Sequence, residues 1–180
     1  MRSHLHRSLA ALVATIMLSL PTAGSISAQQ HDHSQDAAKR PAGQTRWLKP
    51  VPAGPLPPIP YEGYPSPRPM SVVNAVYEFA ARHPEVLNYM PCFCGCERSA
   101  GHVGNHDCFV KRRNAQGRVT EWDSHGYGCA ICIDVGRDAM QMFNAGASVS
   151  SIRAAIDTKY KTRFPTSTPT PKPTSTAAKK

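Results

Sequence analysis

Pro91-Cys92-Phe93-Cys94-Gly95-Cys96, then a lone Cys108, then Cys129-Ala130-Ile131-Cys132, with His102, His106 and His125 between them, form the stretch on which the reading of this chain turns. All six cysteines of the 180 residues lie in it. A small hydrophobic core has no need of so many thiols and imidazoles so close in sequence. Two cysteines one residue apart are badly placed for a disulfide with each other, because the small ring strains the dihedral. Cys92, Cys94 and Cys96 therefore look elsewhere for partners or share an ion. In an extended segment Cys92 and Cys96 face one side and Cys94 the other. Gly95 gives the backbone the freedom to bring all three together.

Cys129-x-x-Cys132 falls at the start of a helix predicted over 129–144, where unpaired amides and the helix dipole favour the thiolate. One such pair is a moderate signal, and three cysteines upstream turn it into a metal-site pattern. Soft ions, copper as Cu(I) or zinc as Zn(II), suit the set, and thiolates can bridge two of them. The expected ligands are Cys92, Cys94, Cys96, Cys108, Cys129 and Cys132, assisted by His125 and then His106, with His102 ranked last. Together these nine donors exceed one tetrahedral site and are enough to fill two.

Other readings of the same residues stand beside this one. An even cysteine count in a small exported domain is the ordinary signature of a disulfide framework, which would make the chain a stapled envelope interaction module. The tight triplet and the interleaved histidines argue against it. Thiol redox chemistry through Cys129 and Cys132 lacks the strand-helix-strand surroundings of a thioredoxin-like fold. Haem attachment is disfavoured because Ile133 stands where a histidine is required. Iron-sulfur ligation fits the ligands but not export of an unfolded chain. No Ser/His/Asp arrangement, glycine-rich phosphate loop or acidic pair stands out, so no enzyme is expected.

Outside the block the composition changes. Residues 1–28 read as a secretory signal peptide: Arg2, His4, His6 and Arg7 lead, Leu9 to Leu20 form the apolar run, and Ile26-Ser27-Ala28 offers a cleavage site. That run is about 12 residues where a span needs roughly 20, so no transmembrane segment is expected after cleavage. No cysteine stands next to the apolar run and no twin arginine precedes it, which points to export as an unfolded chain without a lipid anchor. The protein is expected in the periplasm or cell envelope, or secreted, with an envelope protein as its partner if the ion is transferred.

Residues 29–69 form a proline-rich spacer holding ten of the 17 prolines, extended and disordered in expectation. Residues 161–180 form a Ser/Thr/Pro/Lys tail too poor in apolar surface to order itself. The formal charge of +9 sits in these flanks, for residues 71–160 carry nine basic and nine acidic groups. The folded part therefore lacks the basic footprint of a nucleic-acid binder.

The foldable unit is 70–160, predicted to be a small, mainly α domain with a short β-hairpin. Val72, Val76, Phe79 and Ala80 recur at helical spacing behind Ser71 as a candidate N-cap. His83-Pro84 breaks that helix, and Glu85 to Met90 adds a turn or two before Pro91. Asn114-Ala115-Gln116-Gly117 is a hairpin turn between Phe109-Val110-Lys111 and Arg118-Val119-Thr120. Gly146 ends the helix that bears Cys132, and Ser148 opens a last helix with Ile152, Ile156 and Tyr160 on one face. His83, Phe109, Trp122 and Tyr127 are expected to pack.

The hexapeptide Pro91 to Cys96, with Cys108-Phe109-Val110 and with His125 ahead of Cys129-x-x-Cys132, resembles the PCYCGC-motif family of bacterial exported proteins and lipoproteins. The resemblance spans roughly Val72 to Tyr160. It implies a shared cysteine-rich domain and an exported setting rather than any particular activity. Phe93 replaces the family's tyrosine, which implies that this position packs, and the family's common lipobox is absent.

Overall fold

The computed structural model describes residues 47–173. The signal-peptide expectation for 1–28, and those for 29–46 of the spacer and 174–180 of the tail, lie outside the described residues. Among the described residues the architecture is mainly helical with one two-stranded sheet, the predicted class. Helix α1 spans Met70–Arg82, α2 Pro84–Leu87 and α3 Cys96–Ser99; a 3₁₀ turn follows at Asn105–Cys108. Strands β1 (Val110–Arg113) and β2 (Val119–Trp122) precede α4 (His125–Gly128), α5 (Ala130–Asn144) and α6 (Val149–Lys161).

Helix α1 starts two residues earlier than the Ser71 cap would place it. Pro69 already holds an extended φ of −53° and ψ of 139°, and its carbonyl accepts the N–H groups of Val72 and Val73 at 2.9 and 3.1 Å. Ser71 thus lies inside the first turn and caps nothing. The predicted break at His83-Pro84 is present, and the His83 ring packs between Phe79 and Phe143 with its Nδ1 2.9 Å from Glu85 Oε1. At the end of α5 the Gly146 N–H reaches Phe143 O at 2.9 Å and the Ala147 N–H reaches Met142 O at 3.0 Å, which satisfies two terminal carbonyls. Ser148 Oγ accepts the Ser151 N–H at 3.1 Å and opens α6 as expected.

The core lies where α1, α5 and α6 meet the hairpin. Val73, Val76, Tyr77 and Ala80 of α1 are fully buried with Val135 and Ala139 of α5, and Ile152 and Ile156 of α6 close the layer. Helices α1 and α5 cross at Gly136, where a Cβ would stand 2.5 Å from Val76 Cγ1. Only a glycine permits that approach. The strands pair antiparallel with Val110 opposite Trp122 and Arg113 opposite Val119. Tyr77 locks the hairpin to α1: its ring meets Phe109 and Trp122 edge-on at 5.1 and 5.4 Å, and its hydroxyl donates to Asp123 O at 2.8 Å. Arg113 turns inward and donates to the carbonyls of Ala80 and Ala81 at the C-terminal end of α1, at 2.7 and 2.9 Å. Burial pushes this guanidinium down to about 10.

The packed unit reaches past the expected limits of 70 and 160. Residues 47–69 and 162–173 contain no helix or strand, yet both lie against the domain. Prolines lack a donor but keep a carbonyl, and the side chains of the domain supply the missing donors. Trp122 Nε1 donates to Pro57 O at 3.1 Å, Asn88 Nδ2 to Trp47 O at 2.8 Å and Tyr127 Oη to Tyr64 O at 2.7 Å. The Val51 N–H donates to Arg82 O at 2.9 Å, and Arg68 forms a two-point ion pair with Asp134. From the other end Thr168 and Thr170 are buried. The solvated tail expected from residue 161 is therefore corrected for residues 162–173. No helix among the described residues is long and apolar enough to cross a membrane.

Candidate metal centre

Three separate pieces of chain bring the sulfurs together. The hexapeptide runs from the end of the α2 segment into α3 and bends at Gly95, whose φ of +85° is one that side chains other than hydrogen rarely adopt. That bend lets the triplet converge instead of alternating. The 3₁₀ turn delivers Cys108, and α5 delivers Cys129 from its N-cap and Cys132 from its first turn.

The result is one continuous cluster. Cys92 Sγ lies 3.1 Å from Cys132 Sγ and 3.4 Å from Cys94 Sγ; Cys94 lies 3.6 Å from Cys132, and Cys132 lies 3.0 Å from Cys129. Cys96 and Cys108 are 3.9 Å apart, and the sulfurs of Cys92, Cys108 and Cys132 lie within 4.8 Å of one another. All six cysteines are free thiols. A disulfide bond is ~2.05 Å long, whereas adjacent sulfurs on a tetrahedral zinc with bonds of about 2.3 Å stand roughly 3.8 Å apart. Cys132 touches three sulfurs and Cys92 two. Such many-to-one contacts suit thiolates that bridge ions; a staple uses each sulfur once.

His125 joins the cluster. Its Nε2 is 3.3 Å from Cys94 Sγ, and with Cys94, Cys129 and Cys132 it forms a tetrad whose donor atoms lie within 4.8 Å of one another. Three sulfurs and an imidazole make a recognised tetrahedral zinc set. Burial opposes a charge on the His125 ring, but the hydrogen bonds to Cys129 and Cys94 prevail and raise it to about 10. Burial pushes the Cys108 and Cys132 thiols up, while hydrogen bonds with Cys108 and with its other sulfur neighbours push Cys94 down.

The histidines do not follow their ranking by sequence. His106 stands outside the cluster: its Nε2 accepts from Arg113 at 2.9 Å and its Nδ1 faces Asp107 Oδ1 at 3.6 Å. His102 is nearer the sulfurs than ranked, buried with Nδ1 3.5 Å from Cys108 Sγ and Nε2 3.5 Å from Asp123 Oδ2. Histidines held at metals commonly carry such a carboxylate on the far nitrogen. Asp123 also accepts the His125 backbone N–H on Oδ1 at 2.9 Å, so one carboxylate meets the His102 ring and the main chain of His125. Asn105 donates to Cys132 O at 3.1 Å and ties the 3₁₀ turn to α5. The sequence signal for Asp123 was the Asp-Ser-His order, an aspartate two residues before an amide it can cap.

The sequence profile of a family described as protein of unknown function with PCYCGC motif matches residues 14–173. The chain belongs to this family. No curated protein and no solved structure matches it. In this PCYCGC-motif protein the one departure from the motif is Phe93, which is buried and stacks on Tyr160 at 5.5 Å with 23° between the planes. The aromatic position of the motif therefore packs against α6, while its three cysteines turn to the cluster.

Proposed function

We propose that this chain is an exported protein whose cysteine-histidine centre binds one or two thiophilic ions, Cu(I) or Zn(II), in the cell envelope. The observation that carries the reading is the convergence of six free thiols from three pieces of chain, with His125 beside them. Burying that many thiols together without a shared partner leaves sulfur lone pairs facing sulfur lone pairs, and an ion turns that crowding into bonds. Soft, shareable sulfurs favour Cu(I), and the Cys94-His125-Cys129-Cys132 tetrad favours Zn(II). Binding, with sequestration, structural use or hand-over to an envelope protein, explains the site without invoking turnover. The leader-like composition of residues 1–28 supports export.

The test is metal uptake by the reduced full chain against a variant with all six cysteines replaced by serine. One or two equivalents of Cu(I) or Zn(II) that survive desalting, lost in the variant, support the reading. Equal uptake by both chains removes it.

A further inference from the structure

The six sulfurs are not equally placed with respect to solvent. Cys92, Cys96 and Cys108 are completely buried, and each pair of them lies within 4.8 Å. They are enclosed by the hexapeptide, the 3₁₀ turn and the returning tail, with His102 and Asp123 behind Cys108. Cys94, His125 and Cys129 are each partly exposed, and they share the buried Cys132 as their fourth donor. The two sets touch through Cys92, 3.1 Å from Cys132 and 3.4 Å from Cys94, and His125 also comes within 4.8 Å of Cys96 and Cys108. They differ in support as well: the inner sulfurs are held from several directions, whereas Cys129 sits at a helix N-cap whose flank is Gly128.

We propose that the centre holds two ions with different duties, an inner ion at Cys92, Cys96 and Cys108 that is retained, and an outer ion at Cys94, His125, Cys129 and Cys132 that exchanges. This rests on the metal-binding reading and assigns the outer tetrad as the place where the ion enters and leaves. Transfer of a soft ion between sulfur sites proceeds by an incoming ligand bonding before the last outgoing one lets go. Such a ligand must reach the ion, and the surrounding shell decides whether it can. The inner residues are completely buried, whereas three of the four outer residues, Cys94, His125 and Cys129, are partly exposed. The acceptor class is accordingly a thiol- or thioether-bearing molecule, and exchange leaves the inner ion to hold the hexapeptide to the 3₁₀ turn.

The full chain saturated with zinc, its stoichiometry fixed beforehand, is challenged with the chromophoric chelator 4-(2-pyridylazo)resorcinol, and a pulse of iodoacetamide with peptide mapping reports which thiols are released. The expected result is two phases, one equivalent leaving at least about tenfold faster than the other, with label on Cys94 and Cys129 after the first phase and on Cys92, Cys96 and Cys108 only after the second. Cys129→Ser removes the fast equivalent and leaves the slow one. A single phase, or label spread evenly over the cysteines as the first equivalent leaves, overturns the division of duties while metal binding itself stands. A chain that takes up no zinc and no Cu(I) before the challenge removes both.

Discussion

Cys92 and Thr168 hold each other by two hydrogen bonds: the Thr168 N–H donates to Cys92 O at 2.9 Å, and the Cys92 N–H donates to Thr168 Oγ1 at 2.8 Å. The first cysteine of the motif is thus fixed by a residue 76 positions away in a Ser/Thr/Pro tail. Thr170 continues the clasp by donating to Val103 O at 2.8 Å, and Arg153 of α6 holds the Pro171 carbonyl at 2.9 Å. Thr168→Val leaves a buried N–H without its acceptor, which costs about 1–3 kcal/mol. Urea unfolding should show a lower midpoint and an unfolding free energy reduced by that amount, and an unchanged midpoint would mean that the tail does not bear on the domain.

Phe93 separates packing from ligation inside the motif. Its ring lies between the sulfur cluster and Tyr160, with Phe164 at 6.3 Å. Phe93→Ala should destabilise the fold by about 3–5 kcal/mol, while Phe93→Tyr, the residue of the family motif, should retain most of that stability. Thermal or urea melts of the pair check both.

The contact that supports Tyr160 gives a pH dependence. Asp138 Oδ2 accepts from Tyr160 Oη at 2.7 Å and from Lys159 Nζ at 2.5 Å. Burial alone would raise this carboxyl; the hydrogen bonds from Lys159 and Tyr160 outweigh burial and hold it below its ordinary 3.8. A carboxylate lowered in the folded state adds stability that is complete above the unfolded value and is lost as pH falls through the folded one. The advantage of the wild type over Asp138→Asn should therefore be flat near neutrality and shrink below pH 3.8. Urea midpoints of both chains across that range test it, and an advantage that persists undiminished at the acid end contradicts it.

The histidines should separate in a binding experiment. His125→Gln removes a donor 3.3 Å from Cys94 Sγ and should weaken zinc binding at least about tenfold. His106→Gln retains an acceptor for Arg113, 2.9 Å away, and should leave binding at the wild-type level. Competition titrations against a chelator read both, and equal losses would place His106 in the centre after all.

How far the sequence led is clear from these residues. Ser148, Gly146, the Asn114 to Gly117 turn and the apolar spacing of α6 act through neighbours within a few positions, so their roles could be read directly. Ser71 failed as a cap because Pro69 had already set the backbone. His106 was ranked above His102, but in a 3₁₀ turn residues three apart share an edge. Asn105 and Cys108 therefore face α5, and His106 points toward Arg113. The clasp of Thr168 on Cys92 depends on one hydroxyl and one amide meeting across the fold, and no local pattern announces it. The cysteine block itself was legible as a group of donors that could share an ion, though not which of its residues are completely buried and which partly exposed.

The central claim is that sulfurs from three pieces of chain meet on an ion. Zinc K-edge X-ray absorption of the zinc-loaded full chain tests it most directly. Convergence predicts a first shell dominated by sulfur at about 2.3 Å with a minority of imidazole nitrogen. A shell of oxygen and nitrogen alone would contradict it.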